Sequence, residues 1–531
     1  MAFILRLPER MKVLVTGGSG IIGQGAVTAL LERGHSVRLL SRGAGEDVKA
    51  WTAGVEAWPG DIRSPASIEG SADGCEAVVH IVGIVTEDPP ESTFARVNVE
   101  GTRIALAEAT RAGVRRFVYI SSLGAERGAS DYHRSKAEAE QLVMRFPAEW
   151  VIIRPGGVYG PGDENLSVML RMVRTLPVIP SIGDGSQRLQ PIWHEDVAKG
   201  IAASVDLPGI QGRVLEIAGP DVVTQRELFE RMQALTGRKV PTVPVPESIA
   251  SLGVRALKAS GIGAPIDETQ LEMLGEQNVI ADGRPNAIDS ILGVTPTPIA
   301  EGLRRLLDDQ AVQLPEEGVG SLQQKTFAVD VRPSAYDAPR LSTYIRNHLL
   351  DLMPALVDAN PEKSNPSHIY EGATLTLALP LRGNIQVRAV EVADDKITLM
   401  TLAGHPLAGA VRFVTLPIEG GVHFEVQVYD RPASVVDWLM MRPVGDRMQD
   451  STWTQLCESV ARVAGATQPE VKKITRDLEG DSAHAVEEWA KKLALQLQRK
   501  SHSEAATDNE LRSQADTDSS RTSDRSGPPA P

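Results

Sequence analysis

The stretch "MKVLVTGGSGIIGQGAVTALLERGHSVRLLSR", residues 11–42, limits the possible folds more than any other part of the chain. An apolar run of strand type enters a glycine turn, a 3.6-residue period follows, Gly34 stops it, and a second apolar run begins. That order is a βαβ unit. Gly17, Gly20 and Gly23 fall where such a unit needs a tight turn, a close approach of backbone to a pyrophosphate, and close packing of helix on strand. Ile21 and Ile22 open the helix, so their backbone N–H groups face the phosphates. The second strand ends in Ser41-Arg42 rather than in an acidic residue that would bond ribose hydroxyls. A guanidinium there suits a 2′-phosphate, so NADP(H) is the expected ligand and NAD(H) the alternative.

The βα rhythm continues to about residue 155. "VEAWPGDI" carries Asp61 and Ile62 past a third strand, "AVVHIVGI" is a buried fourth ending at Gly83, and "RRFVYISS" is a fifth ending at Ser121 and Ser122. Between the last two, "TFARVNVEGTRIALAEATRAGV" has helical periodicity and contains Asn98; "WVIIRPGG" is a sixth strand closing at Pro155. Alternating strands and helices imply an α/β doubly wound parallel sheet, Rossmann-like, with ligands outside the carboxyl ends of its strands. Tyr132 and Lys136 follow directly, four residues apart on a helix and therefore on one face. A phenol titrates near pH 10, and about 4 kcal/mol is needed to bring it to neutrality. One cation about 4 Å away supplies roughly that at an effective dielectric near 20, so Lys136 is expected to lower the Tyr132 pKa.

The combination T-G-x-x-G-x-x-G, "NVEGT", Y-x-x-x-K and "RPGGVYGPGD" resembles the extended short-chain dehydrogenase/reductase superfamily. "VVHIVGI", "YHRSKAEAE", "QPIWHEDVA" and "TQLEMLGEQNVIADGRPNAIDSILGVTPTPIAEGL" are similar to its atypical branch, named for the NADPH-binding accessory subunit of mitochondrial complex I. The likeness covers residues 11–310, and residues 1–310 are read as one domain whose part beyond 160 is a small substrate lobe. The resemblance implies that Tyr132 exchanges a proton with the substrate oxygen, Lys136 grips the ribose and tunes the tyrosine, and a serine orients the substrate. Sugar epimerases of the superfamily tend to place that serine third in a serine run; here the third position is Leu123, and Ser122 is the nearest substitute. Three functions follow: an NADPH-dependent reductase of an apolar carbonyl or quinone-like compound, a non-catalytic NADPH-binding assembly or stability factor for a respiratory or quinone-synthesis complex, and a nucleotide-sugar epimerase/dehydratase, disfavoured by Leu123. In "QPIWHEDVAKGIAASV", His194 and Asp196 form an acid/base pair or, the stronger reading, Asp196 caps its helix; Arg188 and Gln190 are placed to reach the cleft.

The 531 residues are too many for one core, and a net charge of -14 argues against nucleic acid as a main partner. Two cysteines and ten histidines show neither a disulfide framework nor metal-ligand spacing. The absence of a long uncharged apolar run gives no spanning helix, leaves peripheral membrane contact open, and makes a cytoplasmic location the simplest expectation. Either Met1 or Met11 could be the true start.

Residues 311–325 read as a linker, and period-2 alternation dominates 326–464: "GATLTLALPL", "NIQVRAVEV", "KITLMTL", "GAVRFVTLPI" and "GVHFEVQVYD" form an antiparallel meander. A long amphipathic stretch offering Val435, Trp438, Leu439, Trp453, Leu456 and Val460 comes after it. This α+β order, with "GHPLAG" and "YDRPA", resembles the helix-grip fold of the START and polyketide-cyclase-like superfamily, which implies a lipid or quinone-like ligand between helix and sheet; a solid core is the alternative. Residues 465–500 are expected to lose the core and end in an amphipathic helix bearing Val486, Trp489, Leu493 and Leu497 for docking or self-association, and 501–531 to be disordered.

Overall fold

The structure, a computed structural model, describes residues 10–51, 53–128, 130–245, 277–379, 383–434, 437 and 445–500. The opening segment, the 501–531 tail, part of the lobe motif after Thr269, and Val435, Trp438 and Leu439 lie outside the described residues.

Seven parallel strands form the first sheet: β1 Lys12–Thr16, β2 Ser36–Ser41, β3 Val55–Pro59, β4 Ala77–His80, β5 Arg116–Ile120, β6 Glu149–Pro155 and β7 Arg213–Ile217. Their order is β7-β6-β5-β4-β1-β2-β3, so the chain reverses direction across the sheet between β1 and β4, the position at which a doubly wound sheet opens a crevice. Residue alternation explains why both faces are covered. Val13 and Val15 of β1 join Val79, Val118 and Ile153 in one core under helix α1 (Ile21–Glu32), while Leu14, Val78, Phe117 and Ile152 face a second core beneath α2 (Gly101–Arg111) and α3 (Asp131–Val143). Ser130 caps α3, accepting a hydrogen bond from the His133 backbone N–H at 3.3 Å.

Beyond β6 the chain builds a lobe from α4 (Leu166–Thr175), α6 (Gln225–Thr236) and α7 (Ile299–Asp308), while α5 (His194–Asp206) returns to the first sheet, where Val197, Ala198 and Ile201 join the core under α1. Leu170, Trp193, Phe229, Met232, Leu303 and Leu306 form its core. A full capping box, Thr224 with Glu227, starts α6, and Gly237 at φ +67 ends it. Asp196 departs from its expected role. Trp193 occupies the N-cap of α5 without a side-chain bond, and the Asp196 carboxylate instead accepts from the Thr297 backbone N–H at 2.6 Å, just ahead of α7. A first-turn acid has here been recruited by a distant segment.

The second sheet is antiparallel and also seven-stranded: β8 Leu322–Val331, β9 Thr374–Leu379, β10 Gly383–Val392, β11 Lys396–Thr401, β12 Leu407–Ile418, β13 Gly421–Pro432 and β14 Lys472–Leu478, ordered β9-β10-β11-β12-β13-β8-β14. Helices α8 (Ala338–Leu352) and α9 (Gly445–Val463) cover one face. Phe327, Leu341, Ile345, Phe413, Phe424, Leu456 and Val460 fill the space between, every one of them buried.

Three features of this region differ from the sequence reading. β8 begins at Leu322, inside the stretch read as linker, and the rest of that stretch is tied along the sheet by the Gln313 N–H to Thr401 O (2.8 Å) and Val319 N–H to Pro432 O (2.8 Å) bonds. The chain after Gly465 returns to the sheet as β14, paired with β8; its polar, exposed residues give no alternation to read. Residues 481–500 are helical (α10), as the periodicity indicates, but the apolar face lies on the protein's own sheet. Ala490 and Leu493 are buried against Val390, Met400 and Ala410, and Trp489 stacks beside Arg412 and Tyr429. Self-association through that face is therefore unsupported.

The outer face of this sheet also meets the lobe. Buried Arg174 of α4 forms a bidentate pair with buried Glu362 at 2.9 and 2.8 Å and donates to Gln386 at 2.7 Å; Gln386 in turn donates to Leu307 O at 2.7 Å.

Candidate functional site

The glycine turn between β1 and α1 has the shape its spacing indicates. Gly17 sits at φ +75, a conformation that L side chains rarely adopt, and a Cβ there would meet the Val82 backbone nitrogen at 2.8 Å. A Cβ on Gly23 would lie 2.1 Å from the Gly17 carbonyl oxygen, so that glycine permits the helix to start against the turn. Gly20 is the N-cap of α1 and provides no side-chain bond, the first turn has no acid, and Ile21 and Ile22 follow. The N-terminal amides are thus left for an anion.

At the end of β2, Ser41 is half-buried and donates to Asp47 at 2.5 Å, while Arg42 is exposed. A carboxylate at this rim leaves the choice between a ribose diol and a 2′-phosphate open. Asp61 is held by both oxygens on Arg63, at 3.0 and 2.6 Å, and this bond, more than any other, lowers its pKa to about 2. Ile62 packs in the core beside Gly101.

Under the crevice lies a buried polar chain. Thr16 bonds His80 at 2.7 Å; the other His80 nitrogen meets Thr102 at 3.1 Å; Thr102 donates to Asn98 O at 2.6 Å. Asn98 donates to Ile84 O at 3.1 Å and to Ser135 Oγ at 3.0 Å and accepts from the Ile84 N–H at 2.9 Å; Ser135 donates to Tyr132 O at 2.7 Å. The glycine turn, β4, α2 and α3 are thereby fixed to one another. His80 and Thr102, which sequence reasoning did not single out, are the central links; a histidine closing a buried strand was the available signal. Burial holds the His80 imidazole down near pKa 3, so it is neutral at ordinary pH.

Tyr132 and Lys136 share the inner face of α3, and both are buried. The Ser122 side chain acts to lower the pKa of the Tyr132 phenol, and Phe94 meets the ring edge-on at 6.0 Å. Lys136 Nζ donates to Ile120 O at 2.7 Å, lies 4.8 Å above the Tyr119 ring, and would stand 3.0 Å from a Cβ on Gly83. The expected effect of the lysine on the tyrosine is absent. Burial raises the phenol to about 12 with only Ser122 opposing it, and burial lowers the ammonium to about 8 with Glu140 opposing. Desolvation disfavours both charges, and the ammonium gives one of its three donors to a carbonyl.

Leu123 is buried, its N–H donating to Pro155 O at 2.9 Å, so this third position contributes no hydroxyl. Beneath α3, buried Glu140 binds Arg154 through two bonds of 2.8 and 2.6 Å, and Arg154 reaches Glu126 at 2.7 Å, in the loop that follows Ser122. Gln190 is consumed by Gly219 O and the Ile280 N–H, and Arg188 is exposed. His194 is half-buried against Gly160, whose Cβ would lie 2.2 Å from its ring, and burial lowers its pKa. The described residues contain no group of side chains suited to hold a metal, and no described helix is long and apolar enough to cross a membrane.

The family model of the NAD dependent epimerase/dehydratase family matches residues 13–218. Ceramide reductase of Caulobacter vibrioides is 31% identical over 236 residues, covering 44% of this chain and 74% of the relative. The chain belongs to the NAD dependent epimerase/dehydratase family. Sterol demethylase protein B of Methylococcus capsulatus is 30% identical over 275 residues, 47% of this chain and 81% of that one. Subunit 9 of the NADH dehydrogenase (ubiquinone) 1 alpha subcomplex of Arabidopsis thaliana, a mitochondrial protein, is 27% identical over 276 residues, 50% of this chain and 68% of that one. The open helix start and the glycine cradle at residues 17–23 fit the phosphates of a nicotinamide nucleotide.

Proposed function

We propose that the protein is an NADPH-dependent reductase of an apolar carbonyl compound. The observation that carries this reading is the buried pair of Tyr132 and Lys136, one turn apart on the same helix face, with the Ser122 side chain acting to lower the phenol pKa against burial. Bound in the crevice, the nicotinamide supplies the hydride. Tyr132, kept protonated by burial, donates its proton to the substrate oxygen, and the phenol pKa of about 12 must fall when nucleotide and substrate are bound for it to be an efficient general acid. Ser122 orients that oxygen, Lys136 holds the ribose, and Asn98 with Ser135 keeps α3 in place. Phe94, edge-on to the Tyr132 ring, gives the tyrosine an apolar neighbour, which agrees with the lipid and sterol names of ceramide reductase and sterol demethylase protein B.

Arg42 supports NADPH over NADH. The second domain, taken as 326–464 after the sequence boundaries and extended to 322 and 478 by its sheet, is read as a helix-grip domain because its strand order places β8 beside β13 and lays α9 across the sheet. Phe327, Phe424 and Leu456 fill the described part of its interior, which supports a structural role better than a ligand store. A nucleotide clamp without turnover is the second reading, supported by the engagement of Lys136 with Ile120 O. NADPH oxidation by the wild-type chain with a panel of long-chain ketones, sterol ketones and quinones decides between them: consumption with at least one supports the reductase, and none with any, despite tight NADPH binding, leaves the clamp.

A further inference from the structure

The end of α10 touches the first domain at two places that matter to the nucleotide crevice. Gln498 donates to the Gln24 side chain at 2.6 Å, and Gln24 itself donates to the Ser19 carbonyl at 3.0 Å, inside the glycine turn. Arg499 donates to the Lys49 carbonyl in the segment that follows Arg42. That segment is also fixed to α1 through the Trp51 indole N–H on Thr28, at 3.0 Å.

The helix is itself a firm mount. Its middle is buried on the second sheet through Ala490 and Leu493, Arg431 pairs with Glu487, and Lys500 pairs with Glu371 at 2.6 Å. Lys491 stands near Glu46, where it adds to the pull of Lys49 on that carboxylate. Cationic and amide groups from the far end of the chain thus border the phosphate-side rim.

We infer that the α10 end is a positioning element for the nucleotide site: Gln498 and Arg499 hold the glycine turn and the 43–51 segment at a fixed separation, so that the second domain sets affinity for a nicotinamide nucleotide. This inference rests on the reading of the crevice as an NADPH site. A rim fixed before binding spares the ordering cost that a loose rim would impose on the ligand. The contacts are made at the helix's last turn, away from the sheet-bound core, so their removal need not unfold either domain.

The test uses the full chain with Gln498→Ala and Arg499→Ala combined, and a double-mutant cycle of Gln24→Ala with Gln498→Ala. NADPH titration by nucleotide fluorescence is expected to show a dissociation constant raised about fivefold or more, the lower range of coupling between sites. Hydrogen exchange of the ligand-free chain is expected to quicken at 17–24 and 43–51 while the β8–β13 amides stay protected. In the cycle, the two losses should be less than additive. Unchanged NADPH affinity and exchange in the double variant, or full additivity in the cycle, overturns the inference. Failure of the wild-type chain to bind NADPH at all is a different result and overturns the reading of the crevice itself.

Discussion

The two sheets bury comparable apolar interiors and use them differently. In the first domain, polar side chains gather beneath one crevice: Thr16, His80, Thr102, Asn98, Ser135, Tyr132 and Lys136 are all buried and linked through strand ends and helix faces. In the second, the space between sheet and helices is mainly apolar and holds one small polar cluster, in which buried Lys325 donates to Gln449 of α9 at 2.7 Å and Gln449 donates to buried Asp430. His423, Glu425 and Gln427 line the opposite face of β13. A buried polar group costs free energy unless it is bonded, so a connected buried network marks where a fold has been arranged for chemistry. The parallel sheet supplies such a place because all its strands end on the same side; an antiparallel meander alternates its ends, and its buried polar cluster at Lys325, Gln449 and Asp430 lies between strands and helix rather than at a crevice of strand ends.

The largest expected effect tests the first region directly. Tyr132→Phe should lower turnover about 10²–10⁴-fold, the usual worth of a positioned general acid, with NADPH affinity nearly unchanged. Steady-state kinetics beside fluorescence titration would read both, and equal turnover in the variant would remove the proton-donor role. The second region should respond oppositely. Phe424→Ala, deep in the apolar interior, should cost about 3–5 kcal/mol of stability in a denaturant melt, with its first effect on the β8–β13 amides and none on NADPH affinity below the transition.

Smaller effects sharpen the contrast. Arg42→Ala should weaken NADPH by about 1–3 kcal/mol and spare NADH, since only one carries the 2′-phosphate; equal losses would assign Arg42 to the solvent-exposed loop alone. A pH series then separates the polar network from the rest. The His80 pKa in the folded chain, about 3, lies below its unfolded value near 6.5, so the unfolded state binds the additional proton between those limits. Stability is then fully kept above pH 6.5 and falls as pH drops towards 3, by at most about 1.4 kcal/mol per pH unit for this group. His80→Asn should remove that slope. His405 in the second domain, lowered to about 4 by burial, should retain its own contribution in the same variant.

The sequence by itself determined the βαβ unit, the glycine positions, the Tyr132–Lys136 face and the alternating strands of the second sheet, because each is written in periods of two or 3.6 residues or in residues that only one local conformation admits. It also located the Leu123 substitution. Only the tertiary structure decided where unpatterned residues went: that Asp196 serves Thr297, that Lys136 turns to Ile120 O while burial raises the phenol, and that Arg174 locks onto Glu362. It decided too that β14, "KKITRDL", joins a sheet without any alternation, through backbone pairing that side-chain pattern does not record. The apolar face of α10 was legible as a docking face, but its partner was not. Hydrophobic periodicity states that a surface must be covered, and only the packed chain, 90 residues back at Met400, says by what.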